Sequence, residues 1–155
     1  MGPFTDSPAW HLRTAYLKMH RVTNRIFRPY GITADQYVLL RLLCSKDGIS
    51  QQELCCLSAS DPTTIGRMLE LLEAKQLVGR KTDPDDRRTR LVFLSAAGRK
   101  MASQLYDVCE EIRNKLETTL PRQKQQQLLS SLLLIGAAME TVEQEISQKS
   151  RGNLC

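Results

Sequence analysis

The stretch VGRKTDPDDRRTRLVFLS, from Val78 to Ser95, decides the fold predicted for this chain. Its two ends are apolar and the central DPDD is typical of a tight turn, so it predicts two short strands, residues 77–82 and 90–94, joined as a hairpin. Charged side chains crowd this hairpin: the cations are Arg80, Lys81, Arg87, Arg88 and Arg90, and the anions are Asp83, Asp85 and Asp86. Clustered arginines on a free hairpin favour an anionic partner.

A two-stranded hairpin is only marginally stable in water, so it has to be anchored on neighbouring elements. We expect Leu91, Phe93 and Leu94 to pack against helices and to leave the charged tip free. The acidic turn offsets part of the repulsion between the arginines, and Asp86 is close enough in sequence to hold Arg88 in place. A pre-oriented arginine of this kind fits a narrow DNA minor groove.

Three short helices are predicted before the hairpin, after a longer first helix over residues 9–27. The second begins at the capping box TADQ, Thr33–Gln36, and the third at SQQE, Ser50–Glu53. The sequence SDPTT then places Asp61 as the cap of a fourth helix that runs to about residue 76.

The fourth predicted helix has two different faces. Its apolar residues, Ile65, Met68, Leu69 and Leu72, lie on one side, and Thr63, Gly66, Arg67 and Glu70 lie on the other. The outer face has the small, hydroxylated surface and the arginine that suit a DNA major groove, where Arg67 would reach guanine edges. Thr63 or Thr64 would contact a phosphate or a thymine methyl group.

Long amphipathic helices are predicted after the hairpin. Ser95 caps one that runs to about residue 120, and Pro121 opens another that runs to about residue 148. Alternating steps of three and four residues, typical of a coiled-coil seam, separate their apolar residues: Met101, Leu105, Val108 and Ile112 in the fifth helix, and Leu128, Leu132, Ile135, Met139, Val142 and Ile146 in the last. The middle segment is too short to cover these helices, which predicts a homodimer.

The fold class predicted from these elements is mostly α with a small β-wing. A winged helix-turn-helix core is flanked by N- and C-terminal dimerisation helices. We expect a single domain over residues 1–155, with a DNA-binding lobe over 33–94 and a helical dimerisation region over 8–28 and 95–148.

Composition and charge fit this prediction. The 155 residues contain 22 Lys and Arg against 17 Asp and Glu, a net charge of +5 that suits a polyanionic partner. The five cysteines lack metal-ligand spacing, so we expect free thiols, no metal and no cofactor. The start of the chain does not resemble a signal peptide and no stretch is long enough to span a bilayer, which predicts a cytoplasmic protein without a membrane partner.

The stretch from Thr63 to Lys100 closely resembles the multiple-antibiotic-resistance regulator (MarR) family of bacterial transcription factors. The family pattern of Thr/Ser-hydrophobic-x-Arg, LE-x-K-G-L-V-x-R, D-P-x-D-R-R and L-T-x-x-G falls on residues 64–67, 72–80, 83–88 and 94–98. The resemblance extends in layout over residues 8–148. Gln76 departs from it, because a helix-ending glycine is usual at this position.

The resemblance implies a non-enzymatic regulator that binds a palindromic operator on double-stranded DNA as an obligate dimer. Its first, fifth and sixth helices would form the dimer interface, and Arg88, held by Asp86, would be the minor-groove arginine. The expected DNA contacts are Ser60, Thr63, Thr64, Arg67, Lys81, Asp86, Arg87, Arg88 and Arg90. Repression is the expected mode of regulation.

The resemblance also implies a small, often aromatic effector bound between the dimer helices and the DNA-binding lobe. The candidate pocket residues are Trp10, His11, Tyr16, His20 and Tyr37. A role as a core or interface residue explains each of them better. Two alternative functions stay open: a winged-helix module that binds an acidic protein, and a regulator that senses oxidants through Cys44, Cys55, Cys56 or Cys109.

Overall fold

The computed structural model describes residues 3–152 and is built almost entirely from helices. The first helix, α1, is Pro8–Phe27, and α2 is Ala34–Ser45. A short strand β1, Ile49–Ser50, leads directly into α3, Gln51–Ser58, and α4 follows at Pro62–Ala74. Short 3-10 turns at Phe4–Asp6 and Arg28–Tyr30 flank α1.

The hairpin has its two predicted strands, β2 at Val78–Thr82 and β3 at Arg90–Leu94. It belongs to a three-stranded antiparallel sheet in which β3 lies between β1 and β2. The additional strand pairs Ile49 with Val92 and Ser50 with Leu91. Two residues are too few to show a periodicity, which is why the sequence did not predict β1.

Side-chain caps start these helices where the sequence predicted them. The Thr33 hydroxyl accepts from the Gln36 amide, and the Gln36 side chain accepts from the Thr33 amide, which completes the predicted capping box. Ser50 accepts from the Glu53 amide at 3.1 Å. Each cap satisfies an amide that has no partner within its helix.

The helix predicted from Ser95 to about residue 120 is interrupted, and this part of the prediction is wrong. It consists of α5, Ala96–Val108, and α6, Glu110–Thr119, and it is followed by α7, Arg122–Gly152. Cys109 separates α5 from α6 with a ψ of 1°, and its side chain is buried. Neither glycine nor proline marks this break, so it was not predictable from local signals.

The chain forms two compact units, one up to Glu110 and one from Glu111 onward. The first contains α1 to α5 and the sheet. Its core consists of fully buried apolar side chains: Phe27, Leu39, Leu40, Leu43, Leu54, Ile65, Leu69, Leu72, Val92 and Leu105. The second contains α6 and α7.

Burial differs among the seam residues predicted on the fifth helix. Leu105 is fully buried and α5 packs against α2, whereas Met101, Val108 and Ile112 are half-buried. The six seam residues of α7 are different, because each leaves 39–59% of its surface exposed.

Among residues 3–152, no helix is long and apolar enough to span a bilayer. The predicted assignment of residue ranges to a DNA-binding lobe and a dimerisation region stays a prediction.

Candidate nucleic-acid interface

A tight turn connects α3 to α4 and presents the N-terminal end of α4 to solvent. Ala59 takes a left-handed conformation with φ of 49°, and the Ser60 amide donates to the Cys55 carbonyl at 3.1 Å. Ser60 is half-buried in this turn. Asp61 then caps α4 by accepting from the Thr64 amide at 2.9 Å.

The two predicted faces of α4 are confirmed by burial. Ile65, Leu69 and Leu72 are fully buried, whereas Thr63 and Arg67 are exposed. This helix therefore offers a polar surface with one cation, on an element whose opposite side is fixed in the core.

Thr64 is exposed, but its hydroxyl is already engaged. It donates to the Asp61 carboxylate at 2.6 Å, and this bond, with the capped amide of the same residue, lowers the pKa of Asp61. The carboxylate stays ionised at neutral pH and holds the first turn of α4. The methyl group of Thr64 is the part of this side chain that remains for a base contact.

The hairpin β2–β3, called the wing from here on, is anchored by Leu94, as expected, and by Val92 instead of Leu91 and Phe93. Val92 and Leu94 are buried, while Leu91 and Phe93 are only half-buried. Side chains alternate between the faces of a strand, so Val92 and Leu94 share the core face. On the other face, the Lys81 ammonium lies 5.4 Å from the centre of the Phe93 ring.

Hydrogen bonds fix the wing tip through its backbone. The Asp86 carboxylate accepts from the Arg88 amide at 3.0 Å and from the Thr89 hydroxyl at 2.8 Å. These two bonds lower the pKa of Asp86. The Asp83 amide donates to the Thr89 carbonyl at 2.9 Å and closes the turn.

No ion pair between Asp86 and the Arg88 guanidinium is formed among the described residues. Asp86 orients Arg88 through the backbone of the turn. The predicted wing cations, Lys81, Arg87, Arg88 and Arg90, are all exposed, as is Asp86.

An ion pair joins α4 to the wing, and it was not predicted from the sequence. Nη2 and Nε of Arg80 lie 2.5 and 3.0 Å from the same carboxylate oxygen of Glu73. Hydrogen bonding to Arg80 lowers the pKa of Glu73. Glu73 and Arg80 are seven residues apart in sequence and lie on different elements. Their contact depends on the direction in which β2 leaves α4, which has no local signal in the sequence. Arg80 is consequently a structural cation, whereas Arg87, Arg88 and Arg90 form no ion pair with any described residue.

Two of the five candidate pocket residues lie together around a carboxylate. His20 Nε2 lies 3.0 Å from Asp35 Oδ2, and the Tyr16 hydroxyl lies 3.5 Å from Asp35 Oδ1. Partial burial and the Asp35 charge raise the pKa of Tyr16. Asp35 was not among the predicted residues, although it follows the capping Thr33 by two positions.

Asn24 holds this histidine beside the start of α2. Asn24 Oδ1 accepts from the Ala34 amide at 2.8 Å, and its amide nitrogen lies 3.1 Å from His20 Nδ1 and 3.4 Å from His20 Nε2. Tyr16, His20 and Asp35 form a partly exposed polar cluster at the junction of α1 and α2.

The other three candidate pocket residues lie apart from this cluster. Trp10 packs edge-on against Phe4 with ring centres 5.5 Å apart, and His11 is exposed. Tyr37 packs on the buried Phe27 ring at 5.0 Å. A structural explanation is sufficient for Trp10 and Tyr37.

Four of the five cysteines are described, and no disulfide joins any two of them. Cys55 is buried, while its neighbour Cys56 is exposed. Burial, followed by the proximity of Cys56, raises the pKa of Cys55 and keeps the thiol protonated. A protonated thiol is a poor nucleophile, so this position does not favour oxidant sensing. Cys155 lies outside the described residues.

Comparison with known proteins places this geometry in a family. A model described as the MarR family matches residues 32–89. The transcriptional regulator HosA of Escherichia coli O111:H- is 30% identical over 95 residues, which are 61% of this chain and 70% of HosA.

Solved structures agree over a longer part of the chain. The transcriptional repressor CouR of Rhodococcus jostii RHA1, bound to a 23-mer DNA duplex, superposes with a TM-score of 0.78 at 26% identity. The match covers 88% of this chain and 96% of CouR. BpsR of Bordetella bronchiseptica, whose DNA binding is regulated by 6-hydroxynicotinic acid, superposes with a TM-score of 0.79 at 26% identity over 87% of this chain and 98% of BpsR.

Proposed function

The chain belongs to the MarR family of DNA-binding transcriptional regulators, which are not enzymes, and we propose that it is a cytoplasmic repressor. It binds an inverted-repeat operator as a homodimer and leaves the operator when a small aromatic ligand binds. The observation that carries this proposal is that the exposed polar face of α4 and the exposed cations of the wing belong to one compact unit. The polar face of α4 and the cationic wing tip are linked by the ion pair between Glu73 and Arg80.

In this proposal α4 reads bases and the wing reads groove shape. Arg67 contacts a guanine edge in the major groove, with Thr63 and Thr64 beside it. Arg88 enters the neighbouring minor groove, which is most negative where A·T-rich sequence narrows it. The remaining contacts, from Ser60, Lys81, Arg87 and Arg90, go to the phosphate backbone and fix the register.

The homodimer supplies two copies of α4. An exposed apolar row on α7, namely Leu128, Leu132, Ile135, Met139, Val142 and Ile146, has the spacing of a coiled-coil seam. A two-fold dimer that uses this row favours half-sites one helical turn apart, about 34–36 Å between their centres.

The ligand-responsive step is assigned to the cluster of Tyr16, His20 and Asp35. A hydroxyl, an imidazole and a carboxylate together are able to bind the ring substituents of a small phenolic or heteroaromatic acid. BpsR, which resembles this chain over most of its length, responds to a ligand of that size. Trp10, His11 and Tyr37 are weaker candidates for the same pocket.

The DNA-binding proposal is tested with single-site variants on operator and random duplexes at two salt concentrations. Arg67→Ala is expected to cost about 1–3 kcal/mol on the operator and to relax base preference, with less effect on random DNA. Arg88→Ala is expected to weaken binding to both duplexes and to reduce the salt slope by about one.

Lys124→Ala is the matched control, because Lys124 is an exposed cation on α7 outside the proposed interface. It should bind as the unmodified protein does. Equal losses from all three variants, or no dependence on salt, would contradict the proposal and would favour a module that binds an acidic protein.

The effector proposal has its own measurement. A screen of phenolic and heteroaromatic acids by thermal shift should find a ligand that raises the melting temperature and weakens operator binding. A hundredfold loss of operator affinity corresponds to about 2.7 kcal/mol of coupling. Asp35→Asn should reduce this coupling, whereas a ligand that binds tightly without changing operator affinity would show that the cluster is not regulatory.

A further inference from the structure

The net positive charge of the chain is concentrated on its first helix and not on the wing. Residues 8–33 contain five Lys and Arg and no Asp or Glu, and the rest of the chain holds 17 of each sign. The wing cations are therefore balanced overall by acidic residues elsewhere, whereas the cations of α1 are not.

Four of these cations form a single row along α1. Lys18, Arg21, Arg25 and Arg28, called the basic stripe from here on, follow each other at intervals of three, four and three residues. Arg28 still has helical backbone angles, so the spacing places all four on one side of the helix. At 1.5 Å per residue the row is about 15 Å long.

The basic stripe is exposed and unpaired. All four side chains are exposed to solvent, and none of them takes part in an ion pair within the described part of the chain. Like charges three or four residues apart destabilise a helix by about 0.2–0.5 kcal/mol per pair, so α1 forms in spite of this arrangement. The inner side of α1 is occupied by Phe27 and Asn24, which contact α2.

A separate face of α1 carries its exposed apolar residues. Leu12, Tyr16, Met19 and Val22 lie roughly a third of a turn away from the basic stripe. If these residues are covered in the dimer, the basic stripe remains at the rim of the interface, free to bind a partner from solution.

The basic stripe lies away from the DNA-reading end of α4. The Gly31 amide donates to the Arg28 carbonyl, and the Gly31 carbonyl accepts from Lys75 at the C-terminal end of α4. Thr63 is twelve residues from Lys75, about 18 Å along the helix axis. The Arg28 end of the basic stripe therefore lies next to the C-terminal end of α4, and the end that would read bases is the opposite one.

We propose that the basic stripe of α1 binds the phosphate backbone of a second DNA duplex segment while α4 and the wing hold the operator. A straight row of long, convex cationic side chains fits a regular linear polyanion, in which each strand presents a phosphate about every 3.4 Å of axis. It offers no concave site for a small ligand. This inference rests on the proposed operator binding, and it makes the dimer a bridge between two duplex segments.

The test is a capture experiment with the full-length dimer. Immobilised operator duplex is saturated with protein, and a labelled random duplex is then added at several salt concentrations. The protein should capture the second duplex, and capture should fall roughly a hundredfold between 50 and 200 mM salt if about four phosphates are neutralised.

The variant K18Q/R21Q/R25Q/R28Q removes the basic stripe. It should remain dimeric in sedimentation, bind the operator within about twofold of the unmodified protein, and lose capture by more than tenfold. The control K100Q/K115Q/R122Q/K124Q removes the same charge from exposed positions on α5, α6 and α7 and should capture normally. Equal loss of capture in both variants would overturn the proposal, because net charge alone would then explain it.

A final comparison separates this proposal from the proposed function. The double variant R67A/R88A is expected to lose the operator but to retain salt-dependent binding of random duplex through the basic stripe. Loss of random-duplex binding in this variant would overturn the second site and leave operator reading intact. Binding of anionic vesicles through the basic stripe, without capture of duplex, would also overturn the proposal in favour of a membrane surface.

Discussion

Asp86 shows how a negative charge on a DNA-binding surface can favour binding. Its carboxylate holds the Arg88 amide and the Thr89 hydroxyl, so it sets the shape of the turn that carries the arginine. Asp86→Ala is expected to weaken operator binding roughly tenfold, because two hydrogen bonds of the turn are lost. Equilibrium titration of a labelled operator measures this change.

Asp86→Asn distinguishes the backbone role from an ion pair. The asparagine side chain keeps an oxygen for the Arg88 amide, so we expect affinity close to that of the unmodified protein or slightly higher, since a negative charge is removed. If Asp86→Asn is as weak as Asp86→Ala, the carboxylate acts through the guanidinium after all. Tighter binding by Asp86→Ala would show that net charge governs the wing.

The same carboxylate gives the wing a predictable response to acid. The Arg88 amide and the Thr89 hydroxyl lower the pKa of Asp86 from its ordinary value of 3.8. A lowered pKa means that this contribution to stability is complete above pH 3.8 and is lost as the pH falls through the folded-state value. The Arg88 amide chemical shift should stay constant from pH 7 to 5 and change below about pH 4, whereas Asp86→Asn should abolish this transition.

Gln76 has a backbone conformation that glycine adopts more easily. Its φ is 57°, and the residue ends α4 where the family pattern has glycine. A left-handed conformation costs a residue with a Cβ atom about 1–2 kcal/mol, part of which is offset by the greater entropy of glycine in the unfolded chain. Gln76→Gly is therefore expected to raise the free energy of unfolding by about 0.5–1 kcal/mol in urea titrations.

Gln104 provides the matched control because it is an exposed glutamine inside α5. Gln104→Gly should lower the free energy of unfolding by somewhat less than about 1 kcal/mol. A loss of stability in both variants would mean that the conformation of Gln76 carries no strain.

At the level of elements, the close approach of α5 to the start of β2 depends on one glycine. The Ser95 hydroxyl caps α5 and also donates to the Gln76 carbonyl, which brings the first turn of α5 against the chain entering β2. A Cβ atom on Gly98 would overlap the Leu77 carbonyl oxygen and lie 2.8 Å from Leu94 Cδ1. Gly98→Ala is expected to destabilise the protein by about 2–3 kcal/mol.

Gly79→Ala is the control for this substitution. A Cβ atom at Gly79 meets nothing within 4 Å, so the free energy of unfolding should change by less than about 0.5 kcal/mol. Thermal unfolding of both variants measures the difference. A neutral Gly98→Ala would show that α5 is able to move away from β2 at little cost.

The elements that could be predicted from the sequence are those with local signals. Thr33, Asp61 and Ser95 cap helices as expected, because a cap depends only on residues within one turn. The faces of α4 follow from helical spacing alone. The break at Cys109 and the two-residue strand β1 have no such signal, and both depend on how distant parts of the chain pack.

The candidate site was predictable in its residue types but not in its contacts. The exposed cations of the wing follow from a hairpin whose tip has nothing to pack against. The sequence did not distinguish Arg80, which pairs with Glu73, from Arg88, which forms no ion pair with a described residue, because that difference arises from the approach of α4 to β2. The contact between His20 and Asp35 was not predicted either, because it depends on how α1 packs against α2.

At the level of the whole molecule, exposed apolar surface indicates what the single chain leaves incomplete. Every seam residue of α7 is substantially exposed, as are Leu133 and Leu134 on other faces of the helix at 76% and 72%. In a soluble monomer such a surface would favour non-specific association. The regular seam spacing favours one defined partner, and a second copy of the chain satisfies this requirement by symmetry.

Two charges introduced into the α7 seam should therefore separate the protomers. Ile135→Glu combined with Met139→Glu places carboxylates where the two copies meet, and burial of an unpaired charge is costly. Sedimentation velocity at micromolar concentration should show a dimer for the unmodified protein and a monomer for this variant. Leu133→Glu combined with Leu134→Glu adds the same charge off the seam and should remain dimeric.

Loss of the dimer should in turn reduce operator affinity much more than it reduces the affinity for one half-site. When two α4 helices are held in one particle, the second binds at a high effective concentration, which is worth about 10²–10⁴ in affinity. The seam variant should lose this factor on the full operator and bind an isolated half-site like the unmodified protein. If the seam variant is monomeric and still binds the full operator with unchanged affinity, each chain reads DNA independently. If the unmodified protein is itself monomeric, the assignment of the α7 seam is contradicted.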